Sequence, residues 1–322
     1  MRVGIVGCGL IGHKRAGALG GDALVAVCDR DASRAQALAA KHPSAAAVSI
    51  DELLARAEAV VVATTNDQLA PIAARAIEAG KHVLVEKPGA RSPAELEPLA
   101  QLARKRGVTV RVGYNHRFHP AARKAREILA TGACGPLMFV RARYGHGGRE
   151  GYDREWRMDP AMSGGGELID QGVHLIDLSR WYLGSEIADV RGRVVTSFWD
   201  AKADDNAFLT LTASGGQIAH LHASCTEWKN LFSFEIYGRN AKLHLEGLGG
   251  SYGVERLYQY QMRSGMGPPD TMIHEYPFAD SSWTLEWQDF TAAISGAAGS
   301  GATLEDALST LRVVAEAYAR CR

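Results

Sequence analysis

The chain has 322 residues, more than a single hydrophobic core usually supports, so we expect two domains. Hydrophobic residues make up 46% of the sequence and charged residues 22%, a globular composition that excludes a largely disordered chain. Lys plus Arg and Asp plus Glu both number 36. This balance argues against a nucleic-acid binder, and any affinity for an anionic ligand must come from a local cluster.

The five cysteines are widely spaced and include no C-x-x-C pair, which predicts neither a disulfide framework nor a zinc site and fits a reducing compartment. No apolar run approaches the roughly 18 residues of a membrane span. The chain reaches an apolar run by Val3 and then turns at glycines, which leaves no room for a signal peptide. We therefore expect a cytoplasmic enzyme or regulator that binds neither membranes nor nucleic acid.

The first third of the sequence alternates apolar, β-branched runs with helical stretches. Continuous apolar strands joined by helices at this spacing indicate a parallel, doubly wound sheet. The predicted strands are 3–6, 24–29, 59–65, 82–88 and 108–115, and the predicted helices run through Leu19 and over 33–41, 71–79 and 94–105.

The pattern changes after about residue 118. Strand-like runs follow one another over 190–262, several of them alternating apolar and polar residues as in an antiparallel sheet with one exposed or partner-covered face. We interpret the chain as an α/β Rossmann domain (1–118) followed by an α+β domain with a mostly antiparallel sheet (119–322). The predicted helices of the second domain are 120–131, one from Glu167, 283–295 and 303–319, with a glycine-rich loop over 145–166.

The first glycine turn contains a G-x-G-x-x-G pattern at Gly7, Gly9 and Gly12. In a dinucleotide site these glycines permit a tight turn, close approach of backbone to a pyrophosphate, and close helix–strand packing. An ordinary glycine-rich turn is the alternative, but an acid, Asp29, ends the next strand. Its carboxylate can accept the ribose hydroxyls and would repel a 2′-phosphate, which favours NAD over NADP, although Arg30 could partly offset this preference.

Lys87 stands at the C-terminal end of a predicted strand, where open α/β sheets place ligands. The alternative is a surface lysine whose charged end reaches water. Pro88 follows and fixes the direction in which the chain leaves the strand.

The segment "ELIDQGVHLID" (167–177) follows three glycines. Wound as an α-helix, it places Glu167, Asp170, His174 and Asp177 within about one quarter of the circumference. Such a stripe can be a solvated face, a metal site or a catalytic acid–base pair. Apolar flanks argue against the first, and a metal site would need a further ligand and leave the glycine motif without a role. We favour Asp170 and His174 as the pair, with Glu167 interacting with the helix dipole and Asp177 bonding nearby backbone.

Together the glycine turn, "AGKHVLVEKP" (79–88) and "GGGELIDQGVHLIDLSRWYLG" (164–184) resemble the Gfo/Idh/MocA oxidoreductase family over nearly the whole chain. "VGYNHRFHPA" (112–121) and "WRMDP" (156–160) are similar to segments that line the family's interdomain cleft. The resemblance implies a large open sheet in the second domain that forms homodimers or homotetramers. It also implies NAD(P)-dependent oxidation or reduction of a sugar or polyol carbon without a metal.

The family's lysine, aspartate and histidine map onto Lys87, Asp170 and His174. Hydride transfer needs a base for the hydroxyl proton, which suits His174, and a positive group such as Lys87 to ease alkoxide formation and keep the histidine neutral. Asp170 can orient His174 or hold a substrate hydroxyl. The family's A-T-P-N-x-x-H loop departs here, with Thr65 and Leu69 in place of the proline and histidine, so no histidine is expected beside the cofactor.

The loop "RYGHGGREGYDREWRMDP" (143–160) mixes arginines and aromatic residues. It suits either a cap that grips an anionic sugar or a solvated loop with ion pairs to Glu150, Asp153 and Glu155, and we keep both interpretations. The predicted substrate contacts are Asn115, Arg117, Tyr152, Arg154, Trp156 and Arg157. The predicted cofactor contacts are Gly7, Gly9, Leu10, Ile11, Gly12, Asp29, Arg30, Thr64, Thr65, Asn66, Glu86 and Lys87.

The sequence therefore predicts an NAD-dependent dehydrogenase or reductase acting on a secondary alcohol or ketone of a sugar or polyol. If the loop is a cap, the substrate is a sugar phosphate, uronate or nucleotide sugar. The alternative is a catalytically silent dinucleotide-binding regulatory protein on the same fold, against which the intact Lys–Asp–His set argues.

Overall fold

The structure is a computed structural model that describes residues 1–321. These residues form two compact units. The first comprises Met1–Asn115 and Trp283–Leu308, and the second comprises His116–Ser282 and the chain from Ser309 onward.

The first unit contains a six-stranded parallel sheet with the strand order 3-2-1-4-5-6. This is the order of dinucleotide-binding domains, which bind ligands beyond the carboxyl ends of the strands where the order reverses. The strands read as apolar runs because helices cover both faces of such a sheet. They are β1 (Arg2–Val6), β2 (Ala23–Cys28), β3 (Ala46–Ala47), β4 (Ala59–Val62), β5 (His82–Glu86) and β6 (Val110–Gly113).

The sequence missed β3 and the helix after it, since two alanines carry no strand signal. That helix did have a sequence signal, the N-cap residue Ser49, whose hydroxyl accepts the backbone N–H of Glu52. The next helix, α4 (Asn66–Glu78), begins five residues before the predicted start at Pro71, since it tolerates that proline in its second turn. The helices of this region are α1 (Leu10–Gly17), α2 (Ala32–Ala39), α3 (Ile50–Arg56), α4 (Asn66–Glu78) and α5 (Pro93–Arg106).

The second unit contains an eight-stranded sheet with the order 14-13-12-11-7-10-9-8, in which β7 and β10 are parallel and the other neighbours antiparallel. The mostly antiparallel sheet expected from the sequence is confirmed. Its strands are β7 (Leu137–Gly145), β8 (Ile187–Val195), β9 (Asn206–Ala213), β10 (Ile218–Ser224), β11 (Leu231–Gly238), β12 (Ala241–Glu246), β13 (Glu255–Gln261) and β14 (Asp270–Tyr276).

Helices pack on one face of this sheet, and the other face is open. Along β7, Val140 and Ala142 are buried, whereas Phe139 and Arg141, which alternate with them, are exposed. The helices of the second half of the chain are α6 (Pro120–Ala130), α7 (Pro160–Ser163), α8 (Val173–Leu183), α9 (Ser282–Ile294) and α10 (Leu304–Arg320).

Residues 283–308 lie in the first unit, whereas the sequence-based division placed everything after residue 118 in the second. The reason is apolar burial. Trp287 and Phe290 of α9 belong to the same core as Val3, Ile5 and Leu24 of the first two strands. Order along the chain cannot show that a late helix completes an early core.

All five cysteines are free thiols. Among the helices formed by residues 1–321, none is both long enough and apolar enough to cross a lipid bilayer.

Candidate active site

The glycine turn between β1 and α1 has the geometry that a dinucleotide needs. Gly7 has a φ of +98°, and a Cβ there would lie 2.3 Å from the Ala63 carbonyl oxygen. A Cβ on Gly12 would lie 2.0 Å from the Gly7 carbonyl oxygen. For Gly9, by contrast, no non-neighbouring heavy atom of the described chain comes within 4 Å of the added Cβ. Packing therefore requires two of the glycines, and the third borders open space where a pyrophosphate could approach.

Asp29, directly after β2, braces this turn. One of its carboxylate oxygens accepts the backbone N–H of Cys8 at 2.7 Å, and the other accepts that of Asp31 at 2.9 Å. A carboxylate has about four lone-pair sites, so it can still accept ribose hydroxyls. Arg30 beside it is exposed.

The other predicted cofactor residues lie at the carboxyl ends of the strands. Thr64 and Thr65 follow β4, and the Thr65 hydroxyl donates to the Asp67 carboxylate at 2.6 Å. Asn66 is buried at the first position of α4. The remaining two, Leu10 and Ile11, open α1, where Leu10 is 75% exposed and Ile11 is partly buried.

Glu86 lies in a buried ion cluster that the sequence did not predict. Arg15 of α1, only 1% exposed, lies 2.6 Å from Glu86 and 2.6 Å from Glu286 of α9. Burial raises the pKa of Glu286 to about 7, against the opposing attraction of Arg15. Lys87 follows Glu86 directly and is half-buried. Glu86 was predicted to contact the cofactor. In the structure its carboxylate is paired with Arg15.

In the second unit, the predicted α-helix from Glu167 begins differently. Leu168–Gly172 form a π-helical turn, and α8 starts only at Val173. The 100° spacing used for the ionisable stripe therefore does not hold between Asp170 and His174, because a π-turn carries more residues per turn. Such turns are frequent at functional sites.

Asp204 anchors the start of this segment. Its carboxylate accepts the backbone N–H of Gly166 at 2.9 Å and of Leu168 at 2.8 Å, and it also accepts the Tyr318 hydroxyl at 2.9 Å. A Cβ on Gly166 would lie 2.0 Å from the Asp204 carbonyl oxygen. Burial raises the pKa of Asp204, while these hydrogen bonds act in the opposite direction. The sequence offered no signal for this contact, which spans 38 residues.

Asp170 is paired with Arg157, whose Nε lies 3.2 Å from a carboxylate oxygen. The guanidinium also lies 3.4 Å from Glu155 and 4.8 Å from the centre of the Trp156 ring. Burial would lower the pKa of Arg157, but the charge of Asp170 raises it on balance. Arg157, predicted to contact substrate, therefore contacts one of the predicted catalytic residues.

His174 is 4% exposed and lies against a second histidine that the sequence did not single out. The ring of His116 stacks on it with centroids 3.7 Å apart and planes 25° from parallel. Tyr144 approaches both rings edge-on, at 5.1 Å from His116 and 6.1 Å from His174. The only sequence signal for His116 was its place in the "VGYNHRFHPA" segment.

Asp177 bonds Arg117, a partner that the expectation of nearby backbone did not include. Arg117 Nε and one of its terminal nitrogens donate to the two carboxylate oxygens at 2.8 and 2.6 Å, and both side chains are buried. Arg117 was predicted to contact substrate, and this ion pair ties its segment to α8. Asn115, beside it in sequence, is also buried.

Glu167 lies at the start of the helical segment, as expected, and it is buried. Its carboxylate lies 3.9 Å from His146 Nε2, and the Tyr152 hydroxyl lies 3.4 Å from the same nitrogen. Burial lowers the pKa of His146 and raises that of Tyr152. Tyr152 also packs near Trp199, so this predicted substrate contact belongs to a small core.

The loop over 145–158 contains several ion pairs. Arg149 lies 2.5 Å from Glu155, and Arg154, with its side chain 87% exposed, lies 3.9 Å from Asp153. Of the two interpretations kept for this loop, the ion-paired one describes these arginines. Within residues 1–321, no group of three or more His, Cys, Asp and Glu side chains is arranged to hold a metal ion.

Comparison with protein families finds one match in each of the two units. Residues 1–114 match the oxidoreductase family with an NAD-binding Rossmann fold, and residues 122–244 match the Gfo/Idh/MocA C-terminal domain.

Several curated relatives are named dehydrogenases, and two of them illustrate the match. An inositol 2-dehydrogenase of Saccharopolyspora erythraea is 32% identical over 67% of this chain and 64% of its own length. A UDP-N-acetylglucosamine 3-dehydrogenase of Acidithiobacillus ferrooxidans is 30% identical over 70% of this chain and 67% of its own length. The first alignment thus spans less than two thirds of the relative.

Among solved structures, GenD2 from gentamicin A biosynthesis, in complex with NAD, is 27% identical. It superposes with a TM-score of 0.85 over 99% of this chain and 93% of its own. With both family domains matched in order along one sequence, the chain belongs to the Gfo/Idh/MocA family of oxidoreductases.

Proposed function

We propose that this protein is an NAD-dependent dehydrogenase or reductase that acts on a secondary alcohol or ketone of a sugar or polyol. The observation that carries the proposal is that one helical segment holds the buried His174 and the ion-paired Asp170, in a chain whose other unit has a dinucleotide turn with Gly9 on open space. A base and an oriented carboxylate suit removal of a hydroxyl proton.

NAD fits the first unit better than NADP does. The Asp29 carboxylate, held by two backbone N–H groups, stays in place to accept ribose hydroxyls and to repel a 2′-phosphate. Gly9 is the N-cap of α1 and has no side chain to bond the first-turn N–H groups, which can then face phosphates. When bound, the nicotinamide of NAD accepts or returns the hydride.

The roles of the chain's own residues follow from their chemistry. His174 takes the hydroxyl proton in the oxidising direction and returns it in the reducing direction. Asp170, paired with Arg157, holds a substrate hydroxyl or orients His174. Lys87 supplies positive charge where an alkoxide develops. No metal takes part in this proposal.

The substrate class rests on the relatives, whose names include an inositol and a nucleotide-sugar dehydrogenase. Because Arg149, Arg154 and Arg157 already face carboxylates of the chain, we propose recognition of ring hydroxyls rather than a grip on phosphate by this loop.

We also propose that a second copy covers the open face of the eight-stranded sheet, in a homodimer or homotetramer located in the cytoplasm. On that face Phe139 stacks on Tyr237 with ring centres 4.2 Å apart, and Arg141 Nε lies 2.6 Å from Glu235. Exposed aromatic residues among charged pairs are typical of protein interfaces. Sedimentation of the purified chain tests this part.

The activity is tested by NADH formation with inositols, glycosides and nucleotide sugars, using wild type, Lys87→Met and His174→Ala. Both variants are expected to retain NAD affinity and to lose turnover by two or more orders of magnitude, because each removes a group that acts on the reacting hydroxyl. Unchanged turnover in either variant contradicts the mechanism. Tight NAD binding by wild type with no turnover across the panel favours a dinucleotide-binding regulatory protein instead.

A further inference from the structure

The ring of the proposed base His174 is stacked on that of a second histidine of the same unit. His116, from the short helical turn Asn115–Phe118, lies parallel to it at a ring distance of 3.7 Å. Both imidazoles are nearly inaccessible to water, with 6% of His116 and 4% of His174 exposed. A second, buried imidazole in face-to-face contact with a base is a titratable group that the mechanism above does not use.

Rings pack around this stack from several elements. The rings of Tyr144 and Phe232 approach His116 edge-on at 5.1 and 5.9 Å, and His119 does so at 5.5 Å. These contacts confine the imidazole of His116, so it forms a fixed surface against which the ring of His174 lies.

The charged groups nearby are already matched in pairs. His119 Nδ1 lies 2.9 Å from Glu255, which also accepts the backbone N–H of Ala121 at 2.7 Å. On the helical segment of His174, Asp170 lies beside Arg157 and Asp177 beside Arg117. Glu167, on the same segment, lies 3.9 Å from His146 Nε2. Tyr144 has its pKa raised well above 10 by burial, and Tyr252, whose ring centre lies 5.2 Å from that of Tyr144, also has its pKa raised by burial, so both phenols stay neutral.

Two positive charges on stacked rings, with little water to screen them, repel strongly. A single protonated imidazole on a neutral one has no such cost. The titration of such a contact pair belongs to the pair rather than to either ring.

We propose that His116 is a positioning residue for His174: it fixes the plane of the imidazole and forms with it a pair that holds no more than one proton. The pair then accepts one proton from substrate only when it starts neutral. The catalytic part of this inference rests on the proposed function, whereas the proton count does not.

The proton count is measured by NMR on the full-length chain without cofactor. Histidine-ring 13C signals are followed from about pH 8.5 to about pH 5.5, a range that spans ordinary histidine titration. His116→Phe and His174→Phe identify the two signals. We expect the two chemical-shift changes to add up to at most one protonation. Two independent, complete titrations in this range overturn the proposal.

Kinetics test the positioning role. His116→Ala removes the ring, and we expect kcat to fall roughly 10- to 100-fold with little change in KM for NAD, because a misplaced base costs rate rather than cofactor binding. His116→Phe keeps a flat ring and should recover most of that loss. His42→Ala, at a turn of the first unit, is the matched control and should behave as wild type.

Equal losses in the Ala and Phe variants, or no loss in His116→Ala, overturn the positioning role. Thermal unfolding of each variant separates a folding defect from a kinetic one. Wild-type protein that turns over no substrate is a failure of the proposed function and leaves the NMR result to decide the proton count.

Discussion

The glycine turn of the first unit and the helical segment that carries Asp170 and His174 in the second were both recognised from sequence, but they differ in what holds them. At the turn, Gly12 faces the carbonyl of Gly7, five residues away. At the helical segment, the supporting groups are Asp204, Arg157 and His116, all of which lie outside that segment in the sequence. A local spacing can encode the first arrangement, whereas only folding creates the second.

Replacing glycines of the turn should give the largest effect. Gly12→Val puts a side chain where a Cβ already comes within 2.0 Å of backbone, so we expect loss of NAD binding and of cooperative unfolding of this unit. In Gly9→Ala the added Cβ enters open space, so the variant should fold normally. We expect its affinity for NAD to fall roughly tenfold, because the methyl group obstructs the pyrophosphate. Calorimetric titration with NAD and thermal unfolding measure both. Wild-type NAD affinity in Gly9→Ala would remove the support for a pyrophosphate there.

Asp204 tests the long-range support of the helical segment. Asp204→Ala leaves two buried N–H groups without their acceptor, which costs about 2–4 kcal/mol of unfolding free energy. Turnover should also fall, since the segment before Asp170 loses its anchor. Urea unfolding and kcat measure these effects, and Asp204→Asn should retain part of the stability. A variant as stable as wild type would show that the segment is held locally.

A substitution at Glu286 tests whether the first unit also depends on contacts between residues that are distant in sequence. Its pKa is raised from 4.5 to about 7, so its contribution to stability is fully present below about pH 4.5 and is lost as pH rises through 7. Glu286→Gln lacks this loss. We expect its unfolding free energy relative to wild type to rise by roughly 2 kcal/mol between about pH 5 and about pH 8.

Urea unfolding at several pH values measures the difference. Glu305→Gln removes an exposed pair with Arg104 and serves as the control with no such trend. A pH-independent difference between Glu286→Gln and wild type would contradict the assignment.

Replacing Arg157 should have the smallest effect of the substitutions considered. Arg157→Gln removes the cation beside Asp170, and we expect kcat to fall roughly tenfold, about 1.4 kcal/mol, with stability nearly unchanged because the side chain is partly exposed. Arg191→Gln, which removes an exposed pair with Asp189, should leave kcat unchanged. Steady-state kinetics at saturating NAD make the comparison, and equal effects in the two variants would exclude a specific role of Arg157 at Asp170.

Much of the fold could be read from the sequence because its signals are periodic. Buried parallel strands such as β1 and β4 are continuous apolar runs, and the strands of the second sheet alternate. The missed elements were short or atypical. They include β3, formed by two alanines, and β14, which follows the loop-like segment "MGPP" (266–269). The π-turn at Leu168–Gly172 also escaped, because an angular pattern assumes a regular helix.

Local spacing and side-chain chemistry were enough to identify the family and the two types of sheet. They also singled out the glycine, lysine, aspartate and histidine positions that we propose as the site. Tertiary structure decided which ions are paired. It set Arg117 against Asp177, Arg157 against Asp170 and the ring of His116 against His174. The physical reason is that a buried charge or imidazole takes its partner from whichever element packs against it, and that element can lie anywhere along the chain.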